Sequence, residues 1–186
     1  NALDGEIMSL IQQAIPLVQD RFKALVIYNE SSNFSAGANL GMAMFAVAAG
    51  MWGEIEKLIA GGQQALKALK YAPFPVVAAP AGMALGGGCE VVLHADAVQA
   101  HAESYIGLVE CGVGLLPGWG GNGELLDRLA KAPLIPRGQP VALVDFPDSP
   151  NCGDHAVWLG EQALLSELGA PAAYACSAQT YNRDEM

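Results

Sequence analysis

Two carboxylates and a run of glycines hold the chemical promise of this sequence. Gly86, Gly87 and Gly88 stand directly before Cys89 and Glu90, and a second glutamate, Glu110, follows in the apolar stretch "YIGLVECGVG". A glycine turn that feeds a helix leaves N–H groups pointing outward at the positive end of the helix dipole, where they can hold a developing oxyanion. Glycine also lets a carbonyl oxygen approach those amides with no side chain in the way. The small residues of "SAGANL", 35–40, follow a buried-strand pattern and can present another amide; two such donors make an oxyanion hole. Glu110 has no basic residue near it in sequence, and such surroundings raise a carboxyl pKa by desolvation. Paired carboxyl groups beside an oxyanion hole suit proton transfer on and off carbon next to a carbonyl. A plainer reading stays open at this point: the glycines are close-packing turns, and Glu90 only partners a helix dipole.

These groups need elements to hold them. Leu3, Ile7, Leu10, Ile11, Ala14 and Val18 recur at helical spacing, so a helix opens the chain, with Pro16 expected to kink or break it. "FKALVIYN" reads as a short buried strand running into the loop "NESSNFSAGANL". Over "MWGEIEKLIAGGQQALKALK", charges interleave with Ile55, Leu58, Ile59, Ala65, Leu66 and Leu69, which predicts a long amphipathic helix weakened at Gly61 and Gly62. Pro75 to Ala79 is a short buried strand, and the glycine turn leads into the helix bearing Glu90. Short strand-like runs broken by glycines follow, with Glu110 in one of them, and "ELLDRLAKA" is a compact helix. Strand, glycine turn and helix in succession point to an α/β layered fold with its core in residues 1–132. Residues 133–186 read as a proline-rich irregular connector and then a helix at "HAVWLGEQALLSEL", with no pattern from Gly169 onward and no internal repeat anywhere.

Composition narrows the function classes. A chain of 186 residues that is 52% hydrophobic can bury a substantial core, and 19 acidic against 9 basic residues give a net charge of -10. That charge repels nucleic-acid backbones and anionic lipid surfaces, yet local amides can still bind a small anion. The apolar run from Leu40 to Trp52 is too short to span a bilayer, and no basic segment precedes an apolar one at the N-terminus. Cys89, Cys111, Cys152 and Cys176 are far apart, as reduced thiols of a cytoplasmic protein would be, and His94, His101 and His155 show no metal-ligand spacing. Cys89 reads as small-residue packing, and Trp52, Trp119 and Trp158 as packing or interface residues. The Met-rich "GMAMFAVAAGMW" reads as core, with a mobile wall of a substrate pocket as the alternative.

In order and spacing, "NFSAGANL", "GMALGGGCEVVLHAD" and "YIGLVECGVGLLPGWGG" resemble the three signature segments of the enoyl-CoA hydratase/isomerase (crotonase) superfamily; with the "NALD" start, the similarity covers residues 1–132. "GLVECGVGLLPGWGGNGELL" is most similar to the crotonase module of bacterial multifunctional 3-hydroxyacyl-CoA dehydrogenase/enoyl-CoA hydratase proteins, so the chain is expected to be one piece of a longer polypeptide. The resemblance implies an α/β, crotonase-like (ClpP/crotonase) repeated ββα superhelix, with the family's N-terminal hairpin missing from this sequence. It implies Ala38 and Gly87 as oxyanion-hole amides and Glu90 and Glu110 as the catalytic pair. Ala36, Asn39, Leu40, Gly86, Leu108, Pro117, Gly118 and Trp119 become substrate-binding positions, with Ala36 near the adenine end of coenzyme A and Leu108 and the 117–121 turn at the acyl pocket. Asn39 stands where the family usually has Asp, and Val109 where Pro is common.

The implied reaction is hydration of a trans-2-enoyl-CoA in fatty acid β-oxidation. No metal and no bound cofactor are expected, since coenzyme A is part of the substrate, and self-association as a trimer or hexamer is the implied assembly. Three other readings remain: a double-bond isomerase, a crotonase fragment that binds acyl-CoA without turnover, and a dinucleotide site. The last rests on "GWGGNG", which matches GxGxxG with Asp145 downstream, although Pro117 interrupts the strand-to-glycine join such a site requires.

Overall fold

The computed structural model describes residues 2–131, 141–144, 163, 165, 166, 169 and 172–176. The chain folds as two compact units, one of residues 1–109 and 117–124 and another of residues 110–116 and 125–186.

In the first unit, β1 (Ala2–Leu3) leads into α1 (Gly5–Arg21), followed by β2 (Leu25–Ile27) and β3 (Gly37–Ala38). Two helices follow, α2 (Leu40–Ala48) and α3 (Trp52–Lys70). Then come β4 (Val76–Ala78), β5 (Met83–Leu85), α4 (Gly87–Leu93), β6 (Ala97–Val98) and β7 (Tyr105–Gly107). Every ladder is parallel. β2, β4 and β6 lie side by side in that order, β5 pairs with β7, and β1 with β3, while Ser35 bridges Ala84 beside β5. Two strands followed by helix thus recur, with equivalent strands stacked on one another. This is the repeated ββα arrangement expected from the resemblance, although no residue pattern announces the repeat.

Local chemistry explains the elements. Asp4 caps α1, its Oδ1 accepting from the Glu6 and Ile7 amides at 3.1 and 3.0 Å. The helix runs through Pro16 to Arg21 rather than breaking there. Its inner face, Met8 with Ile11 and Ile15, packs on the core, and that burial outweighs the lost backbone bond. Likewise α3 is continuous across Gly61 and Gly62, because Ala65, Leu66 and Leu69 are fully buried beneath it. They meet Val76 and Ala78 of β4 and Val91 and Val92 of α4 in a single cluster. Truncating Leu66 to Ala there would cost about 2–5 kcal/mol.

Helix α2 behaves differently. None of its residues is buried, and Met42, Met44 and Phe45 are well exposed, so the expectation of a core segment is not met.

In the second unit Glu110–Val113 form a 3₁₀ turn, closed by Gly114 N–H to Cys111 O and Leu115 N–H to Glu110 O. Glu110 therefore leaves the strand conformation expected of it, since its carbonyl bonds within the turn instead of along a ladder. Helix α5 (Gly121–Lys131) begins in the first unit and ends in the second. In the stretch expected to be an irregular connector, β8 (Val141–Val144) forms, and it pairs in parallel with β9 (Ala172–Cys176). A four-residue apolar run carries little signal by itself, and its partner lies far along the chain. Residues 163, 165 and 166 are helical, within the predicted helix. Asp145, Cys152, His155 and Trp158 lie outside the described residues.

Candidate active site

The glycine turn is the meeting point of two strand ends. Ser35 N–H donates to Met83 O at 3.0 Å and Leu85 N–H donates back to Ser35 O at 2.9 Å, which lays 35–38 alongside 83–87. Gly37 has φ 89°, and a methyl placed on it would stand 2.8 Å from Leu85 O and 3.1 Å from Gly87 N. Only glycine allows that approach. It brings the segment carrying the Ala38 amide against the first amide of α4. Gly86, at φ 54°, turns the chain into the helix. As the first residue of α4, Gly87 has no acceptor for its N–H inside its own helix. The triplet ends at Gly88, where a methyl would lie 2.8 Å from both Cβ and O of Ser35.

One turn into α4, Glu90 is 2% exposed. Its Oε1 accepts from the Trp119 amide and from the Gly121 amide, both at 2.9 Å. The carboxylate that sequence reasoning placed against the dipole of its own helix thus caps the start of α5. Gly121 is small for a visible reason: a methyl there would come within 2.7 Å of Glu90 Cγ and 2.9 Å of Leu108 Cδ2. His94 is buried as well; its Nδ1 is 2.7 Å from Glu90 O, and Nε2 lies 3.9 Å from Glu124, whose Oε1 is 2.6 Å from Lys70 Nζ. Because a carbonyl only accepts, Nδ1 carries the proton. Nothing in the sequence flagged this His94–Glu124–Lys70 group, since its members come from α4, α5 and α3.

Several sequence-predicted positions therefore gather in the first unit: Ala38, Gly86, Gly87, Glu90, Leu108 and Trp119. Asn39 caps α2 by accepting from Met42 N–H at 3.3 Å, and Gly118 O accepts from Gln63 Nε2 at 2.8 Å. Ala36 and Leu40 are exposed, and Pro117 is half-buried. Trp119 is buried, its indole packed between Gly62 and Gly87, in keeping with the packing role read for it.

Glu110 belongs to the second unit. Its Oε2 is buried with no hydrogen-bond partner among the described residues. Burial pushes its carboxyl above the usual range, and the bond from its own backbone opposes that only in part. Such a group keeps its proton to higher pH than an ordinary glutamate.

An acid with two amides fixed on it, one turn from a helix-start amide that has no acceptor in its own helix, can stabilise an enolate and manage protons around it. The model for enoyl-CoA hydratase/isomerase matches residues 1–133. This chain belongs to that family. It is 45% identical over 125 residues to the Bacillus subtilis (strain 168) protein named "Probable 3-hydroxyacyl-CoA dehydrogenase", a match covering 67% of this chain and 16% of that protein. The chain spans less than a fifth of the length of the curated relatives it matches. Among solved structures, an enoyl-CoA hydratase from Rhodobacter sphaeroides 2.4.1 is 27% identical with TM-score 0.64, over 71% of this chain and 39% of that one. Another from Polaromonas sp. JS666 shares the fold, with TM-score 0.65 at 22% identity over 96% of this chain and 64% of that one. The fold is thus the crotonase fold. Among the described residues, no group of side chains could hold a metal ion, and no helix is long and apolar enough to cross a membrane.

Proposed function

We propose that this family member adds water across the double bond of trans-2-enoyl-CoA thioesters, as the hydratase part of a larger cytoplasmic 3-hydroxyacyl-CoA dehydrogenase/hydratase protein of fatty acid β-oxidation. The observation that carries the reading is the pairing of the Gly87 amide with the buried, amide-held carboxylate of Glu90. The thioester oxygen binds the Ala38 and Gly87 amides, which take up the negative charge as the enolate forms. Glu90 orients the attacking water toward C3, and a proton is delivered to C2. The sequence pattern gives Glu110 the partner role, and a carboxyl that retains its proton is the right kind of donor. Coenzyme A enters with the substrate, and the active form is a homo-oligomer.

The test is a hydration assay with crotonyl-CoA. Appearance of 3-hydroxybutyryl-CoA, lost in Glu90→Gln and Glu110→Gln while the fold is retained, is the expected result. A shifted double bond without added water would assign the chain to the isomerases instead. Binding without turnover on several enoyl chain lengths would leave it a non-catalytic crotonase module.

A further inference from the structure

We propose that the indole of Trp119 is a positioning residue that sets both halves of the site at once, a role resting on the hydratase reading above. The backbone amide of Trp119 donates to Glu90 Oε1 at 2.9 Å, so any movement of this residue is felt by the carboxylate. Its six-membered ring, through Cζ3, Cε3 and Cη2, lies where a Gly87 side chain would be, directly against the residue whose amide forms the oxyanion hole. The five-membered ring, through Nε1 and Cδ1, fills the space beside Gly62 in α3. Trp119 is 5% exposed and belongs to the core cluster, so the ring has no room to swing away.

The Gly87 amide needs an external restraint. As the first of its helix it has no intrahelical bond, and the preceding Gly86 can reach conformations closed to other residues. On one side Gly86 N–H is tied to Gly107 O at 2.9 Å. On the other side the restraint is the indole. A glycine in mid-helix costs about 1 kcal/mol against alanine, and Gly62 spends it at the place where the ring needs space. Gly62, Trp119 and Gly87 thus form a stack from α3 to α4, with the peptide N–H of its middle member holding Glu90.

The experiment compares the full chain with Trp119→Ala, Trp119→Phe and Gly62→Ala. Turnover of crotonyl-CoA is followed together with the carbonyl stretch of bound ¹³C-thioester, and the ¹⁵N–H resonances of Gly87 and Gly121 are recorded without ligand. Trp119→Ala should lower kcat about 10- to 100-fold while KM changes by no more than about threefold, because a displaced donor is missed mainly in the transition state. It should also shrink the shift of the carbonyl stretch on binding and move both amide resonances. Trp119→Phe, which keeps a ring against Gly87, should recover most of kcat, and Gly62→Ala, pressing on the indole from α3, should move the Gly87 resonance. Wild-type kcat in a folded Trp119→Ala, or unmoved Gly87 and Gly121 resonances, overturns the proposal. If Trp119→Ala does not fold, Gly62→Ala decides it by the same resonances. If the unmodified chain hydrates no enoyl-CoA, the hydratase reading fails, and the resonances still decide whether the indole sets the two amides.

Discussion

Glu90 and Glu110 are the same residue in opposite surroundings. Glu90 is buried within a helix, and two amides from the start of another converge on one of its oxygens. Glu110 opens a 3₁₀ turn, and one of its oxygens is buried with no donor to it among the described residues. Burial alone therefore says little about a carboxylate. At Glu90 two amides stand in for water, whereas at Glu110 burial outweighs the bond from its own backbone and favours the proton. One acid is held by fixed donors, and the other keeps its proton to higher pH.

Removing charge without removing shape strikes hardest at this contrast. Glu90→Gln should cut crotonyl-CoA turnover about 10²–10⁴-fold with little change in melting temperature, since its amide oxygen can still accept from Trp119 and Gly121. Steady-state kinetics and calorimetry on one preparation check this, and retained turnover would mean Glu90 is only a cap. Glu90→Ala goes further by stranding two buried donors, with an expected loss of at least about 2 kcal/mol in denaturant unfolding. Gly88→Ala tests the strand-to-helix packing that supports Glu90; the new methyl meets the Ser35 backbone, so about 1–3 kcal/mol should be lost.

A smaller effect separates Glu110 from Glu90 by pH. Its folded-state pKa is raised by burial, so its stabilising contribution is complete below the ordinary glutamate pKa and is lost as pH rises through the folded-state value. Unfolding curves of the unmodified chain should lose stability relative to Glu110→Gln across that window. Parallel curves would show that the buried oxygen is not desolvated in solution. The least change is expected at α2, where Met44→Ala should alter folding stability by no more than about 0.5 kcal/mol, because Met44 is exposed.

Much of the frame was legible because it rests on neighbours in sequence. The stripe Ile7, Leu10, Ile11, Ala14 and Val18 marks α1, and the pattern Ala65, Leu66, Leu69 marks the buried face of α3. Gly86–Gly88 signal a turn open to close backbone approach, whereas Ala38 and Gly87 as particular oxyanion amides are what the family resemblance implies. Elements whose form depends on distant partners were not legible. The proline-rich stretch hid β8, whose ladder comes from residues 172–176. The Met-rich run 41–52 reads as core, yet the part of it in α2 folds as an exposed helix, since hydrophobicity alone does not say what will cover a surface.

Residue order thus supplied the candidate groups of the site and the glycines around them. What occupies those places was settled by folding: the indole at Gly62 and Gly87, Ser35 at Gly88, and Glu90 at Gly121. The reason is physical. A glycine reports that space is needed, but the group that fills it arrives through parallel pairings and helix packing between segments tens of residues apart, and no local propensity encodes them.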